Sequence, residues 1–251
     1  MIDIKNDKEI KAMQEGGHIL AEVLNEVMAK IVPGMTEIEV DRLADTLIAE
    51  KGGEAAFKKV PGYKHATCIS TNNVVVHGIP SDYVLKDGDV IGVDCGVFHK
   101  GFYTDMSDSK IVGKNDEPEV EKFLKIGKKA LDAGIAQAIG GNRIGHISKA
   151  IQDIVEGEGY SIVRSLIGHG VGRELHEEPE VPGFLNRKID KTPLLKPNMT
   201  IAVEVIYNMG KSDVSYFNDD GWTISSSDGS LSGLFERTIA ITNGSPIIIT
   251  K

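Results

Sequence analysis

Val90-Ile-Gly-Val-Asp94-Cys-Gly-Val-Phe98-His-Lys-Gly101-Phe-Tyr-Thr-Asp105-Met-Ser107 is the stretch on which the reading of this chain turns. Two runs rich in β-branched and aromatic residues, Val90 to Phe98 and Gly101 to Ser107, flank a short polar break, which reads as an antiparallel hairpin. Each run carries one aspartate among apolar neighbours. With His99-Lys100 as a two-residue loop, Asp94 and Asp105 become direct cross-strand partners, about 4.5 to 5.5 Å apart, where like charges repel. A bulge at Gly101 would shift that register by one. Something must compensate the two charges.

Outward from the hairpin, the chain alternates helical and β-rich blocks. Between Asp7 and Val32 apolar residues recur at Ile10, Met13, Leu20, Val23, Leu24, Val27, Met28 and Ile31, one stripe at helical spacing ended by Pro33-Gly34. Thr36 with Glu39 forms a capping box for a second amphipathic helix through Ile38, Leu43, Ala44, Leu47 and Ile48, which stops at Gly52-Gly53. The same helix, turn, helix, glycine unit returns 107 residues later. Leu131, Ile135 and Ile139 take the places of Leu24, Met28 and Val32, Gly140-Gly141 that of Pro33-Gly34, and Gly159 that of Gly52. The acidic stretch Asn115 to Glu119 suits the start of the third helix. The first β-rich block holds Thr67 to Ser70, Val74 to Val76 and the hairpin. The second holds Val163 to Ile167, Thr200 to Tyr207, Phe235 to Thr242 and Ile247 to Thr250. Strands and helices in blocks, with hairpin spacing, predict an α+β chain with a mainly antiparallel sheet. The reading is one domain over 1–251, in two similar halves, 1–110 and 111–251.

Composition narrows the function. With 251 residues there is chain enough for a substantial core, and a net charge of −9 speaks against direct nucleic-acid readout, which needs a basic face. Two cysteines, Cys68 and Cys95, cannot build a disulfide scaffold or a cysteine-rich metal module, so a reducing, cytoplasmic setting is expected. The first residues lack a basic segment followed by an apolar run, and no stretch of about 18 apolar residues could span a bilayer. The expectation is no membrane and, by default, a monomer.

Two more acids sit in apolar strands: Glu204 in Thr200-Ile-Ala-Val-Glu-Val-Ile-Tyr207 and Glu236 in Gly233-Leu-Phe-Glu-Arg-Thr-Ile-Ala-Ile241. A buried, unpaired carboxylate costs several kcal/mol and is normally paired with a cation or a metal. Arg237, the neighbouring base, should point to the opposite face from Glu236. In Ile167-Gly-His169-Gly-Val-Gly-Arg-Glu-Leu-His176-Glu-Glu-Pro179 glycines on both sides of His169 allow close backbone approach. Asp, Asp, His, Glu, Glu suits two first-row divalent ions sharing carboxylates, and such a pair can hold a bridging hydroxide and polarise a carbonyl. Hydrolysis is the natural chemistry. An isolated histidine in a glycine-rich loop is also compatible with a purely structural role.

Assembled, these residues resemble the methionine aminopeptidase family, in its shorter type without a large insertion in the second half. The resemblance spans nearly the whole chain. It is carried by Val76-His77-Gly78-Ile79-Pro80, Val93-Asp94-Cys-Gly with Gly101-Phe-Tyr-Thr-Asp105, Gly168-His169-Gly170 with His176-Glu-Glu-Pro179, and Phe235-Glu236-Arg-Thr238. It implies the pita-bread (creatinase/aminopeptidase) fold, two pseudo-symmetric halves with helices on one face of a curved antiparallel sheet. It also implies that Asp94, Asp105, His169, Glu204 and Glu236 bind two divalent ions, of iron(II), manganese, cobalt or zinc. His77 and His176 would line the site, hydrogen-bond the substrate and serve catalysis beside Glu204, the proton shuttle. Asp94 would help anchor the free α-amino group, so a blocked N-terminus should not be cut. Tyr63, Cys68, Leu175 and Trp222 would line the methionine side-chain pocket. The implied activity is removal of initiator methionine from peptides and nascent polypeptides with a small second residue, which would bring the enzyme into transient contact with the ribosome, although the acidic charge lends this no support.

The chain departs from that pattern at four positions. Val205 follows Glu204 where proline is usual, Arg237 follows Glu236 where histidine is usual, Leu175 stands where phenylalanine is common, and Phe57 where bacterial enzymes often carry a small residue. No ligand is lost, but the pocket shape is altered. X-prolyl peptidases share the five ligands. Val76-His-Gly-Ile-Pro80 and the lack of an extra N-terminal domain favour the methionine form. A binding protein with a decayed site is disfavoured because all five ligand positions are competent. Cys95, alternating with Asp94, is expected in the core, Cys68 is compatible with simple packing, and His18, His65, His99 and His146 are expected to be solvated.

Overall fold

The computed structural model describes residues 2–217 and 220–251. In the first half α1 (Asp7–Lys30) and α2 (Glu37–Glu50) precede β1 (Glu54–Ala55), β2 (Thr67–Thr71), β3 (Val74–Val76), β4 (Val90–His99) and β5 (Phe102–Ile111). In the second α3 (Pro118–Ala136) and α4 (Ile144–Gly157) precede β6 (Ser161–Ile162), β7 (Gly168–Gly170), β8 (Glu177–Val181), β9 (Thr200–Asn208), β10 (Val214–Tyr216), β11 (Ile224–Ser226), β12 (Ser232–Ala240) and β13 (Ile247–Ile248). Local chemistry accounts for the helix ends. Asn6 caps α1 reciprocally with Glu9, Thr36 caps α2 with Glu39, and α3 opens on Pro118 with Glu119 and Glu121 in its first turn.

All pairings between these strands are antiparallel; the isolated bridge Ile139–Thr242 is parallel. A ten-stranded sheet runs β1-β4-β5-β12-β9-β7-β8, with β2 also on β4, β6 on β9 and β13 on β12, while β10, β11 and β3 make a small second sheet. The central pair β5–β12 joins the halves. The helices cover one face. Leu24, Val27, Val40 and Ala44 pack over Ile91, Val93, Cys95 and Val97 in the first half, and Leu131, Ile147, Ile151 and Val155 over Ile201, Val203, Val205 and Phe235 in the second. Cys95 is therefore a core residue, as its alternation with Asp94 required.

The internal repeat is real at the level of backbone shape. Gly34 and Gly141, 107 apart, both have φ of +94°, and Gly52 and Gly159 have +81° and +87°. Past these helices the offset grows to 110. Gly88 and Asn198 share left-handed φ ahead of β4 and β9, and Asp94 and Glu204 occupy corresponding places on those strands.

The structure corrects the hairpin register. Lys100 and Gly101, at φ +48° and +85°, form the two-residue turn, so His99 pairs with Phe102 and Asp94 faces Ser107, while Asp105 faces Gly96. Left-handed φ at both central positions is what the right-handed strand twist demands, and glycine satisfies the second position at little cost. The shift is by two residues, which keeps both aspartates on one face as diagonal rather than direct partners. Val163 to Ile167 is not a strand: pairing stops at Ile162, and the chain bends toward β7. Ile139 lies beyond the end of α3. His99 ends β4 instead of tipping the turn, His65 bonds Asp41 at 3.1 Å, and His146 accepts from the Arg143 N–H; His18 is exposed.

Candidate metal centre

The sheet gathers the four acids from four strands, β4, β5, β9 and β12. Cys68, Asp94, Ser107, Glu236 and Glu204 are successive partners across β2, β4, β5, β12 and β9, one straight row on the helix-free face. One pleat along, Asp105 meets Thr238, whose hydroxyl accepts from the Asp105 N–H (2.9 Å) and donates to its carbonyl (2.8 Å). Thr238 then pairs with Ala202, and Ala202 with His169. Ligand atoms of Asp105, His169 and Glu236 all lie within 4.8 Å of one another. His169 Nε2 is 3.4 Å from Glu204 Oε1.

The glycines beside His169 are steric requirements. A Cβ at Gly168 would lie 2.5 Å from the Ala202 carbonyl oxygen, and one at Gly170 would lie 2.2 Å from that of Glu178. His169 Nδ1 lies 2.9 Å from the Gly170 carbonyl, so Nδ1 carries the proton and Nε2 keeps its lone pair for the cluster.

The electrostatics are those of an anionic site in want of cations. Burial, with Asp105 and Glu204 nearby, drives the Asp94 carboxyl well above its usual range. Burial and the same kind of neighbours drive Glu236 likewise, and Asp105 rises to about 7. Burial alone would lower His169, but its contact with Glu204 prevails and raises it. Asp94 Oδ1, Glu236 Oε1 and Ser107 Oγ are buried without a hydrogen-bond partner. Among the described residues no lysine or arginine pairs with any of the four acids. Arg237 reaches through the opposite face, as expected, to Asp108 at 2.7 Å. Orphaned carboxylate oxygens converging beside an imidazole lone pair are a donor set that fits first-row divalent ions.

Two hollows meet at this cluster. A pocket of about 150 Å³ is lined by Phe57, Val60, Tyr63, Cys68, Leu175 and Trp222, and also by His77, Asp94 and His176 on the side of the cluster. Tyr63 stands edge-to-face with Trp222 (centroids 5.1 Å apart) and with Phe57 (6.5 Å), and its hydroxyl donates to the Thr67 carbonyl at 2.7 Å. A cleft of about 480 Å³ continues past His77, His169, His176, Glu204 and Glu236 toward Leu166, Ile206 and Leu234. His77 is held at φ +55°, where Gly78 packs so tightly on the Ile69 carbonyl that no Cβ would fit. Both cleft histidines keep an exposed edge, yet the surrounding protein strips hydration from their charged forms. His77 is lowered, and His176, with His169 also nearby, falls to about 4. Every residue singled out in the sequence as ligand, cleft or pocket residue thus lies at one place. Sequence reading missed Ser107, Val60 and the anchoring role of Thr238. Ser107 shares its face with Asp105 by alternation and was detectable, whereas Val60 gave no signal.

A helix-covered antiparallel sheet with a carboxylate–imidazole cluster on its free face defines a class. Residues 11–243 match the model of metallopeptidase family M24, and the chain belongs to that family. The architecture is the pita-bread fold that the resemblance implied. Its relatives are more specific: a methionine aminopeptidase of Clostridium perfringens is 43% identical over 250 residues, covering 100% of this chain and 99% of that protein. The crystal structure of methionine aminopeptidase from Thermotoga maritima superposes with a TM-score of 0.96 at 38% identity, covering 100% of both chains. Prolidase from Pyrococcus furiosus has a TM-score of 0.79 at 22% identity over 99% of this chain and 65% of that one, a likeness of fold alone.

Proposed function

We propose that this protein is a metal-dependent aminopeptidase that hydrolyses the N-terminal methionine from peptides and nascent polypeptides when the second residue is small. The observation that carries the reading is the junction of an anionic, ligand-like cluster with an aromatic-lined pocket of about 150 Å³. The 43% identical methionine aminopeptidase supports it. In this reading residues 1–251 are one catalytic unit with halves 1–110 and 111–251.

Asp94, Asp105, His169, Glu204 and Glu236 would hold two divalent ions, of iron(II), manganese, cobalt or zinc. Bound there, the ions would bring the pKa of water toward neutrality and polarise the scissile carbonyl. The chain's own groups do the rest. Tyr63, Leu175 and Trp222 enclose the methionine side chain, and the Cys68 thiol, pushed up by burial, stays neutral and packs as an apolar group. Asp94, in the lining of the pocket, receives the free α-amino group. His77 and His176, neutral at working pH because their pKa values are lowered, offer N–H donors toward the charge that develops on the carbonyl oxygen. Glu204, between the cleft and His169, takes a proton from the attacking water and returns it to the leaving amine. Among the described residues no helix is long and apolar enough to cross a membrane. In this reading the enzyme is a cytoplasmic monomer that meets nascent chains in passing.

The test is methionine release from Met-Ala-Ser by metal-stripped protein resupplied with iron(II), manganese or cobalt, beside Asp105→Ala and an X-Pro dipeptide. Release that needs metal, vanishes in Asp105→Ala and spares the X-Pro substrate is expected. Cleavage of the X-Pro substrate alone, or no release with any ion, would overturn the assignment.

A further inference from the structure

Lys5 is one of the largest fully buried side chains in the molecule, 1% exposed despite its charge. Its Nζ lies 2.5 Å from Glu177 Oε2 and 3.2 Å from Asp3 Oδ2, and its backbone N–H donates to the Asn198 carbonyl at 3.0 Å. Burying an ion pair yields little net stability against apolar packing, so its location is the more informative fact. Glu177 directly follows His176. The second oxygen of Glu177, Oε1, accepts the N–H groups of Arg173 (2.6 Å) and Glu174 (3.1 Å), closing the turn over residues 172–177. The carboxylate is thus the hub of the turn, and Lys5 ties that hub to the segment ahead of α1.

Two further contacts show a turn shaped around the lysine. A Cβ at Gly172 would lie 2.3 Å from Lys5 Cε and 2.5 Å from Nζ, so a side chain there would displace the ammonium from its place beside Glu177. On the outside Arg173 bridges Asp3 at 3.4 Å and also pairs with Glu9 in the first turn of α1. The same turn delivers Leu175 to the pocket and His176 to the cleft. Lys5 lies ahead of the residues matched by the family model, 11–243, and outside every motif that carried the resemblance.

We propose that Lys5 is a positioning residue: through Glu177 it locks the 172–177 turn to the N-terminal segment and so holds His176 in place over the scissile carbonyl. The inference rests on the functional reading above for the role of His176. Its effect should fall on the reaction step, because His176 is aimed at charge that develops only there.

Lys5→Met removes the charge and keeps the stem, while Gly172→Ala displaces the ammonium and keeps every charge. Val155→Ala, in the core of the second half, supplies a destabilised control remote from the turn. Kinetics on Met-Ala-Ser with metal-loaded protein should show kcat down about 10- to 100-fold in both turn variants, with KM within about threefold. Hydrogen exchange should quicken at Arg173 and Glu174. Adding Glu177→Gln to Lys5→Met should recover part of kcat, since the amide leaves no unpaired charge. Val155→Ala should keep its kcat at a matched loss of Tm. Wild-type kcat in the turn variants, or a loss shared by Val155→Ala, would overturn the proposal. Should Lys5→Met fail to fold, Gly172→Ala carries the same measurement. Should the wild-type protein release no methionine with any ion, the functional reading fails and exchange decides positioning alone: faster exchange confined to the turn supports it, unchanged protection refutes it.

Discussion

Glu236→Gln should make the metal-free protein more stable while abolishing its activity. The Glu236 carboxylate, 2% exposed, has a ligand oxygen within 4.8 Å of one on Asp105. At an effective dielectric constant of about 20, two unit charges at that spacing repel by about 3 kcal/mol. Burial, Asp105, Glu204 and Asp94 all push the Glu236 carboxyl up, whereas in the unfolded chain it titrates near its ordinary value of about 4.3. Below about pH 4 the group is protonated in both states, and glutamate and glutamine are nearly equivalent. As pH rises the unfolded chain releases a proton that the folded protein retains. Wild-type stability therefore falls, by at most about 1.4 kcal/mol per pH unit, until the folded pKa is passed. The variant escapes this, so the gap should open from near zero at pH 4 to about 3 kcal/mol at pH 8. Urea denaturation followed by circular dichroism in chelator, at intervals from pH 4 to 8, measures it. Saturating divalent ion should reverse the order, because binding to the folded wild type adds about 4 kcal/mol at a thousandfold excess over Kd. A variant less stable than wild type in chelator at pH 8, or a gap that does not change with pH, would refute the reasoning.

Gly168→Ala should lower stability by about 1–3 kcal/mol through its clash with the Ala202 carbonyl, and weaken divalent-ion affinity at least about tenfold by displacing His169; thermal melts and isothermal titration with manganese read the two effects. Phe57→Ala opens the pocket floor beneath Tyr63, so kcat/KM for Phe-Ala-Ser relative to Met-Ala-Ser should rise at least about tenfold, as a pocket difference of about 1.4 kcal/mol or more would give. An unchanged ratio would show that Phe57 does not limit the pocket. Acetyl-Met-Ala-Ser should remain intact in a chromatographic assay that detects cleavage of the free peptide, because Asp94 in the pocket lining has no ammonium to receive.

Much of the site was legible locally. Alternation of side chains put Asp94 opposite Cys95 and Glu236 opposite Arg237, and the structure sends each pair to opposite faces of the sheet. The capping box at Thr36, the helical stripes and the repeated glycines follow from backbone preferences that act over a few residues, and they appear where the pattern placed them except at Ile139, which lies past the end of α3. The pocket residues Tyr63, Cys68, Leu175 and Trp222 were legible only through resemblance, since they come from four separate segments with no shared period.

By itself, then, the chain's sequence determined the four helices, the long strands with the face each presents and the excess of buried acid, all consequences of local backbone geometry and side-chain chemistry. Tertiary structure decided which residues stand beside which. The hairpin turns at Lys100-Gly101 because left-handed φ at both positions matches the strand twist, and that choice moved Asp94 from Asp105 to Ser107. The row Asp94, Ser107, Glu236, Glu204 exists because β5 pairs with β12, across more than a hundred residues of chain, and β12 with β9, a register set by burial summed over the whole sheet. The Lys5–Glu177 pair is of the same kind: nothing near either residue in the sequence announces it, and only the docking of the N-terminal segment against the 172–177 turn takes the lysine out of water.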